Sequence, residues 1–568
     1  MAASDPGRRT CLLLFGCTAV VYAAGWLIPD VIDVDSAQYA SIAWEMARDG
    51  SYLQVHHRGQ DYLDKPPLLF WLAAAAFRAL GASAVTFRLP SLLSTLLGVW
   101  ATYGMARRLY SARAAVLAAL LLATSQTWLL HNFDVRADTL LSNAVIFALW
   151  QWTRFGLDGG THRCLLGALG VAAAMLAKGP IGLLVPLYAI GAHVALTGSW
   201  RRWLRWQWLL VPPVIAIALA PMVWGLWQQH GWRGPQFYFW TQSFGRITGS
   251  SRWRDSSTVF DFLATFLWAF WPWMLLAYAA MGRRLLRLWR QRGRAADGDE
   301  WLSCGGFVLG FLSLSLSRYK LPHYLMVLLP LAAVFTAAYL DELLCQREGG
   351  QVARWRCWVF VQLAVCAVLW VCAAVLVGWA FPLPWPLALL AVALCGATFA
   401  IGLGAPAAGQ RLIAPSVVAV TSLNFLFLVH FVPQLLAYHS GARAADYVLS
   451  HPEISRADLF RLQDGPSSHA FDFHTRSVGR SVDLDQVTAL ASRPQGVWLF
   501  ADDASREKLE RAGLRIERSV AFAHTHVSLI RGAFLDPATR EQAVDRRLLL
   551  KLRMPAPATR SHDASEAP

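Results

Sequence analysis

Apolar runs of membrane-crossing length follow one another from residue 11 to residue 436, separated by short polar breaks. They fall at 11–29, 87–105, 113–130, 139–153, 165–177, 180–197, 207–227, 261–280, 301–316, 322–340, 355–379, 383–404 and 412–436. A helix needs roughly 20 apolar residues to cross a hydrocarbon core, so the pattern predicts about 13 spans. A further run at 68–80 is short, follows Pro66-Pro67 and is expected to be interfacial or re-entrant. The first run is expected to remain as an uncleaved span.

The polar breaks are of two kinds. Alternate breaks are basic: Arg107, Arg108 and Arg113; Arg154 and Arg163; Arg201, Arg202 and Arg205; six arginines from Arg283 to Arg294; then Arg347, Arg354 and Arg356. Basic loops mark the cytoplasmic side. The opposite set comprises 30–67, HNFDVRAD (131–138), the Lys178-Gly179-Pro180 break, 228–260, SRYKLPH (317–323) and everything after about 437. Their charges are mixed, so the polar groups with chemical potential gather on the outer face. Past residue 440 short strand-like runs (VWLFA at 497–501, RIERSVAF at 515–522, HVSLI at 526–530) alternate with helix-like ones such as ASREKLERAG. The expected fold class is an all-α polytopic membrane protein with outer-face amphipathic helices, plus a small soluble C-terminal α/β domain. The expected boundaries are 1–436 for the membrane domain, 437–553 for the outer α/β domain and 554–568 for a disordered tail. No internal repeat is present to suggest a transporter built from inverted repeats.

Composition sharpens this picture. The 568 residues are 56% hydrophobic and 15% charged, which excludes an ordinary soluble domain. The net charge of +15 sits in short loops between apolar runs, so it reads as topology and attraction to anionic membrane lipids, with no nucleic acid as partner. The nine cysteines all precede residue 396 and show no metal-ligand spacing or disulfide framework.

Candidate chemistry concentrates in the break 33–67. It holds Asp33, Asp35 and Asp64, then Lys65 followed by Pro66 and Pro67. Between them, 39–46 reads YASIAWEM; Ile42 and Met46 share a face, which predicts a helix lying flat on the membrane surface. Asp35 is suited to general-base work, or to capping that helix. Lys65 is a compact cation for a phosphate oxygen with its backbone fixed by two prolines, or else an interfacial anchor. Asp134, Arg136 and Asp138 fit a site wall or a solvated loop, with Asp138 also placed to cap the next span. FYFWTQSFGRITG leads to Arg246, and SRYKLPHY brings Arg318, Lys320, His323 and Tyr324 to the mouth of a span. Cations and a phenol there could hold a phosphate headgroup or anchor the interface. A divalent metal would have to draw on His323, Asp64 and His430, which no spacing joins.

These motifs carry a resemblance. DxxxYA at 35–40 followed by Glu45-Met46, YLDKPPLLFW (62–71), FRLPS (87–91), the RAD ending at Asp138 and SRYKLPHYLMVLLP (317–330) occur in order over most of the first 330 residues. The chain resembles the polyprenyl-phosphate-dependent membrane glycosyltransferases of the GT-C class, among them the lipid A aminoarabinose transferases and the protein O-mannosyltransferases. The resemblance implies a sugar donor on an undecaprenyl-phosphate-type carrier. It implies an acceptor that is lipid A, another glycan or a protein, on the outer face of the inner membrane. It makes Asp35 the general base of an inverting displacement and Asp138 the second acid, positioning Lys65 or the acceptor. Lys65, Arg246, Lys320 and Tyr324 would bind the donor phosphate, with Asp64, Asp134, Arg136, Arg318 and His323 around them. Two departures stand out. Ser36 follows Asp35 where the family often has Asp-Glu, and Gln242-Ser243 occupies the place where metal-binding relatives carry Glu-His. Competing readings are a lipid-linked sugar transporter, for which Lys178 is a candidate pathway charge, and a non-catalytic scaffold.

Overall fold

The computed structural model describes residues 6–242, 258, 260–295, 299–317, 319–350, 352–477, 479–527 and 529–554. The tail expected to be disordered falls almost wholly outside them. Contacts divide the chain into two units, Met1–Val31 with Ile42–Pro433, and Ile32–Ser41 with Gln434–Pro568.

The first unit is helical apart from one hairpin. Among the described residues seven helices are long and apolar enough to cross a membrane: Arg9–Leu27, Ala84–Leu109, Trp206–His230, Pro322–Glu348, Val352–Ala380, Trp385–Gly404 and Ala408–Leu436. The pair Ala112–Ala123 and Gln126–Phe133, bent by 53°, makes an eighth if it is one span. This is fewer than the runs counted by apolar length, for physical reasons. Leu302–Ser315 and Ile181–Thr197 have 14 and 17 residues, and the run at 261–280 breaks into Asp261–Ala269 and Met274–Arg290 on either side of Pro272. The run at 68–80 is the helix Leu68–Leu80, which buries Leu69, Phe70, Ala73, Ala74 and Phe77 along one face.

The helix expected to lie flat extends over Asp35–Asp49. Its apolar residues Tyr39, Ile42, Ala43 and Met46 are buried in protein, and so is Glu45. The amphipathic pattern accounts for Ile42 and Met46 but not for Glu45. That carboxylate accepts hydrogen bonds from the backbone N–H groups of Arg58 (3.0 Å) and Gly59 (3.4 Å). These two residues, at φ 56° and 71°, form the turn between strands His56–His57 and Gln60–Asp61, the backbone that a tight two-residue hairpin requires. Burial pushes the Glu45 carboxyl above its ordinary range, and the two amide bonds offset only part of that.

Three further contacts fix this loop within the first unit. Trp71 Nε1 donates to the Tyr52 carbonyl (2.6 Å) and Gln229 Nε2 to Asp61 Oδ1 (2.8 Å). Gly225 lies so close to the loop that a Cβ there would stand 1.9 Å from the Leu53 carbonyl oxygen. Only glycine permits this approach.

The second unit carries a five-stranded sheet in the order Arg480–Val482, Leu459–Leu462, Val497–Ala501, Asp545–Arg553, Arg515–His524. The first three strands are parallel and the last two pairings antiparallel. Both faces are covered. Val497, Leu499, Leu548, Leu550 and Leu552 pack on one side, and Trp498, Phe500 and Leu549 on the other with Ala444, Val448 and Phe471. This explains why VWLFA shows no polar alternation. Strand Arg515–His524 and helix Asp503–Arg511 lie where the pattern predicts them. HVSLI does not form a strand among its described residues; the last strand is Asp545–Arg553 instead.

Asp33 pins the start of this unit. Its Oδ2 accepts from the Ser468 hydroxyl (2.6 Å) and lies 3.1 Å from His439 Nε2, while Oδ1 accepts from the Ala470 N–H (3.0 Å). Burial raises the carboxyl, but the hydrogen bond and charge of His439 and the Ser468 hydroxyl outweigh it and hold it at about 2. A folded value below the unfolded one means that the stabilisation is complete above about pH 4 and fades as pH falls toward about 2. Asp33→Asn should therefore cost about 2 kcal/mol at neutral pH. The difference from wild type should shrink as pH falls through this window, read as hydrogen-exchange protection of second-unit amides at each pH.

Candidate active site

The first unit contains a cavity of about 880 Å³, counting its open mouth. Its polar wall is built from distant pieces of chain. The pinned loop supplies Lys65, the first turn of Ala137–Asp158 supplies Asp138, the last residue of Thr161–Lys178 is Lys178, and the 3-10 turn Pro322–Leu328 supplies Tyr324. Leu141, Ile181, Leu184, Leu314 and Val327 form the apolar wall. Two lysines facing hydrocarbon surface suit a ligand with an anionic head and a greasy chain.

At the centre is an ion pair. Lys178 Nζ hydrogen-bonds to Asp138 Oδ1, and the two side chains are only 14% and 5% exposed. Lys178 Nζ also stands 4.0 Å from the centre of the Tyr324 ring, a cation–π contact. His323 Nε2 lies 3.8 Å from the other oxygen of Asp138. His131 packs edge-on to His323 at 6.1 Å, and both its ring nitrogens are buried without a hydrogen-bond partner among the described residues. Asp138 is not the cap of its helix; Arg136 takes that position, and Asp138 stands two residues inside.

The loop carrying Asp138 is held by Arg88 of the FRLPS motif. This buried guanidinium donates to the carbonyls of Phe133 (2.9 Å), Asp30 (2.7 Å) and Trp26 (3.4 Å). It thereby satisfies carbonyls at two helix ends that have no partner within their own helices.

The other candidates are distributed as follows. Lys320 Nζ donates to the Ser317 carbonyl (2.7 Å), and Ser317 lines the cavity. Asp134 and Arg136 pair with each other at 2.9 Å. The carbonyl of Asp64 accepts from Gln242, which is also a lining residue. Asp35 belongs to the second unit. Arg246, Ser243 and Arg318 lie outside the described residues. The residues weighed for a metal are not brought together. His323 faces Asp138, and His430 Nε2 lies 3.0 Å from the Phe381 carbonyl. Among the described residues no group of three or more His, Cys, Asp or Glu side chains is arranged to hold a metal ion.

Lys178 is the site residue that the motif reading passed over. A signal for it was present. The chain has 51 basic residues but only five lysines, and the three in the first unit are Lys65, Lys178 and Lys320. Arginine serves every basic loop, so the few lysines mark positions that call for a compact point charge.

Comparison with known proteins gives this geometry a family context. Residues 64–227 match the family model described as dolichyl-phosphate-mannose-protein mannosyltransferase. The undecaprenyl phosphate-α-4-amino-4-deoxy-L-arabinose arabinosyl transferase of Pseudomonas aeruginosa PAO1 is 30% identical over 367 residues, 61% of this chain and 62% of that protein. Transferase 1 of the same name from Pseudomonas fluorescens Pf0-1 is 28% identical over 358 residues, 61% of this chain and 59% of that protein. The match thus spans about three fifths of these curated relatives. The crystal structure of ArnT from Cupriavidus metallidurans bound to undecaprenyl phosphate superposes with a TM-score of 0.71 at 19% identity, covering 95% of this chain and 97% of that one. The chain is similar to the GT-C polyprenyl-phosphate glycosyltransferases and has their fold. The likeness covers the cavity-bearing unit, since the matched family region includes Lys65, Asp138 and Lys178.

Removing Lys178 should leave the Asp138 carboxylate buried without its cation. Lys178→Met is expected to cost about 3–5 kcal/mol, and Lys178→Met combined with Asp138→Asn to recover part of that loss. Thermal unfolding of the detergent-solubilised protein measures both.

Proposed function

We propose that this protein is an integral membrane glycosyltransferase that moves a sugar from a polyprenyl-phosphate donor of undecaprenyl type to lipid A, another glycan or a protein. The observation that carries the reading is the cavity in which Lys65, the Lys178–Asp138 pair and Tyr324 face an apolar wall. It occurs in the fold of a transferase solved with undecaprenyl phosphate bound. The same reading takes in about 13 membrane crossings, a soluble α/β domain over 437–553, a tail at 554–568, and a location in the inner membrane with the active site on the outer face.

In the proposed reaction the bond between the anomeric carbon and the carrier phosphate oxygen breaks, and its electrons pass to the phosphomonoester that leaves. Lys65 stabilises the charge that grows there, with Lys320, Tyr324 and Arg246 as the further phosphate ligands. Asp138, the second acid of the reading, holds Lys178 in place. The acceptor's hydroxyl or amine attacks from the opposite face and inverts the anomeric centre, and Asp35 takes its proton. Asp64, Asp134, Arg136, His323 and Arg318 are assigned a supporting role.

The second reading, a lipid-linked sugar transporter, would use Lys178 as a pathway charge; this lysine pairs with Asp138 and packs on Tyr324.

Purified protein in detergent should transfer sugar from a lipid-phosphate donor. Asp35→Asn should lower kcat by about 10²–10⁴-fold with little change in donor KM. Lys65→Ala should weaken both donor binding and turnover. Full transfer by Asp35→Asn, or labelled-lipid movement in proteoliposomes without any transfer, would sink the mechanism.

A further inference from the structure

The second unit has a cavity of its own, about 730 Å³ with its mouth, and every residue lining it belongs to that unit. Its wall is polar in a particular way. Arg547, His439, His524 and the hydroxyl residues Ser440, Ser467 and Thr525 face the space. Asp33 is the one acid on the wall. It already takes bonds from Ser468 and Ala470 on separate oxygens and lies beside His439, so its charge is locally offset.

Two groups on this wall have capacity to spare. His439 is 1% exposed, and with Nε2 against Asp33 its Nδ1 is buried without a hydrogen-bond partner among the described residues. An orphaned ring nitrogen in a buried site carries a desolvation penalty that a hydrogen bond from a bound polar group would offset. Arg547 Nη1 donates to the Arg546 carbonyl (3.4 Å) and lies 3.9 Å from Asp502, beyond hydrogen-bond distance. Asp502 is itself occupied in capping the helix Asp503–Arg511 through Ser505. The Nε–Nη2 edge of the guanidinium has no hydrogen bond among the described residues and is left for a ligand. His524 supports this placement. Burial and then the Arg547 charge hold it down at about 4, so at neutral pH Arg547 is the permanent cation on the wall.

A guanidinium fork matches a tetrahedral oxyanion. A ring nitrogen and several hydroxyls match the alcohol groups of a polyol, because a hydroxyl can donate or accept as the imidazole requires. We propose that this cavity binds a phosphomonoester carried on a hydroxylated body, with Arg547 on the phosphate and His439 Nδ1 on a hydroxyl. This chemistry is shared by a soluble sugar phosphate and by a lipid headgroup ending in a phosphomonoester. The proposal goes beyond the transferase reading and does not depend on it.

The test uses the full chain in phosphatidylcholine nanodiscs, titrated with glucose 1-phosphate or with glucose and followed by microscale thermophoresis. Saturable binding of glucose 1-phosphate is expected, at least tenfold tighter than glucose. Arg547→Gln should abolish that preference, and His439→Gln should weaken both sugars. Lys65→Ala, which disables the other cavity, should leave all of this unchanged, so loss of transfer and loss of this site can be told apart. Nanodiscs containing phosphatidylinositol 4-phosphate, a phosphomonoester on a lipid-borne polyol, separate the sources: competition with glucose 1-phosphate assigns the site to a lipid headgroup, and its absence assigns it to the soluble sugar phosphate. Absence of saturable binding in both kinds of nanodisc would overturn the proposal. Equal affinity in wild type and Arg547→Gln would do the same, as would loss of binding in Lys65→Ala.

Discussion

An ammonium and a carboxylate in an apolar wall stand or fall together. Each alone would be strongly penalised by desolvation, and their attraction offsets that only with close geometry and further polar contacts. Lys178 and Asp138 meet that condition: direct contact, a second side for the ammonium on the Tyr324 ring, and His323 beside the carboxylate. The pair also fixes where three elements end. Thr161–Lys178 stops at the lysine, Gly179 turns the chain at φ 95°, and Ala137–Asp158 begins one residue before the aspartate. The 3-10 turn at Pro322–Leu328 closes over both. The cavity is thus a consequence of helix ends brought together by one buried interaction.

The opposite side of the cavity is made differently. Lys65 sits on a loop, and a loop positions a cation well only if its backbone is held. Here buried groups do the holding: the Glu45 carboxylate on the hairpin turn, the Trp71 indole on Tyr52 and the side-chain-free face of Gly225 against Leu53. Pro66 and Pro67 then set the direction of the chain into the helix Leu68–Leu80. Lys65 from this loop and Lys178, paired with Asp138 at a helix end, line the same cavity.

How much of this could be read from the chain varies with the kind of signal. Apolar periodicity located the helices, but run length could not tell a straight span from one broken at Pro272 or bent between Ala112–Ala123 and Gln126–Phe133. Motif resemblance found Lys65, Asp138 and Tyr324, which line one cavity. It missed Lys178 because a lone charge at a helix end has no local pattern, and its meaning lies in a partner 40 residues away. Glu45 was legible as part of a motif but not in its role: its partners are backbone N–H groups, which leave no trace in sequence. The strand Asp545–Arg553 carries charges at Asp545, Arg546, Arg547, Lys551 and Arg553 that mask its buried leucines.

The acids of the 33–67 break show what structure adds to a sequence reading that already preferred Asp35. Asp33 lies two residues earlier, and Asp35 opens the helix Asp35–Asp49. Asp33 accepts on both oxygens and is held at about 2, so it is a poor proton acceptor with little freedom to approach one. Its capacity is spent on fixing the fold of the second unit. A general base needs a lone pair to offer and an affinity for protons nearer the working pH. That requirement removes Asp33 from contention.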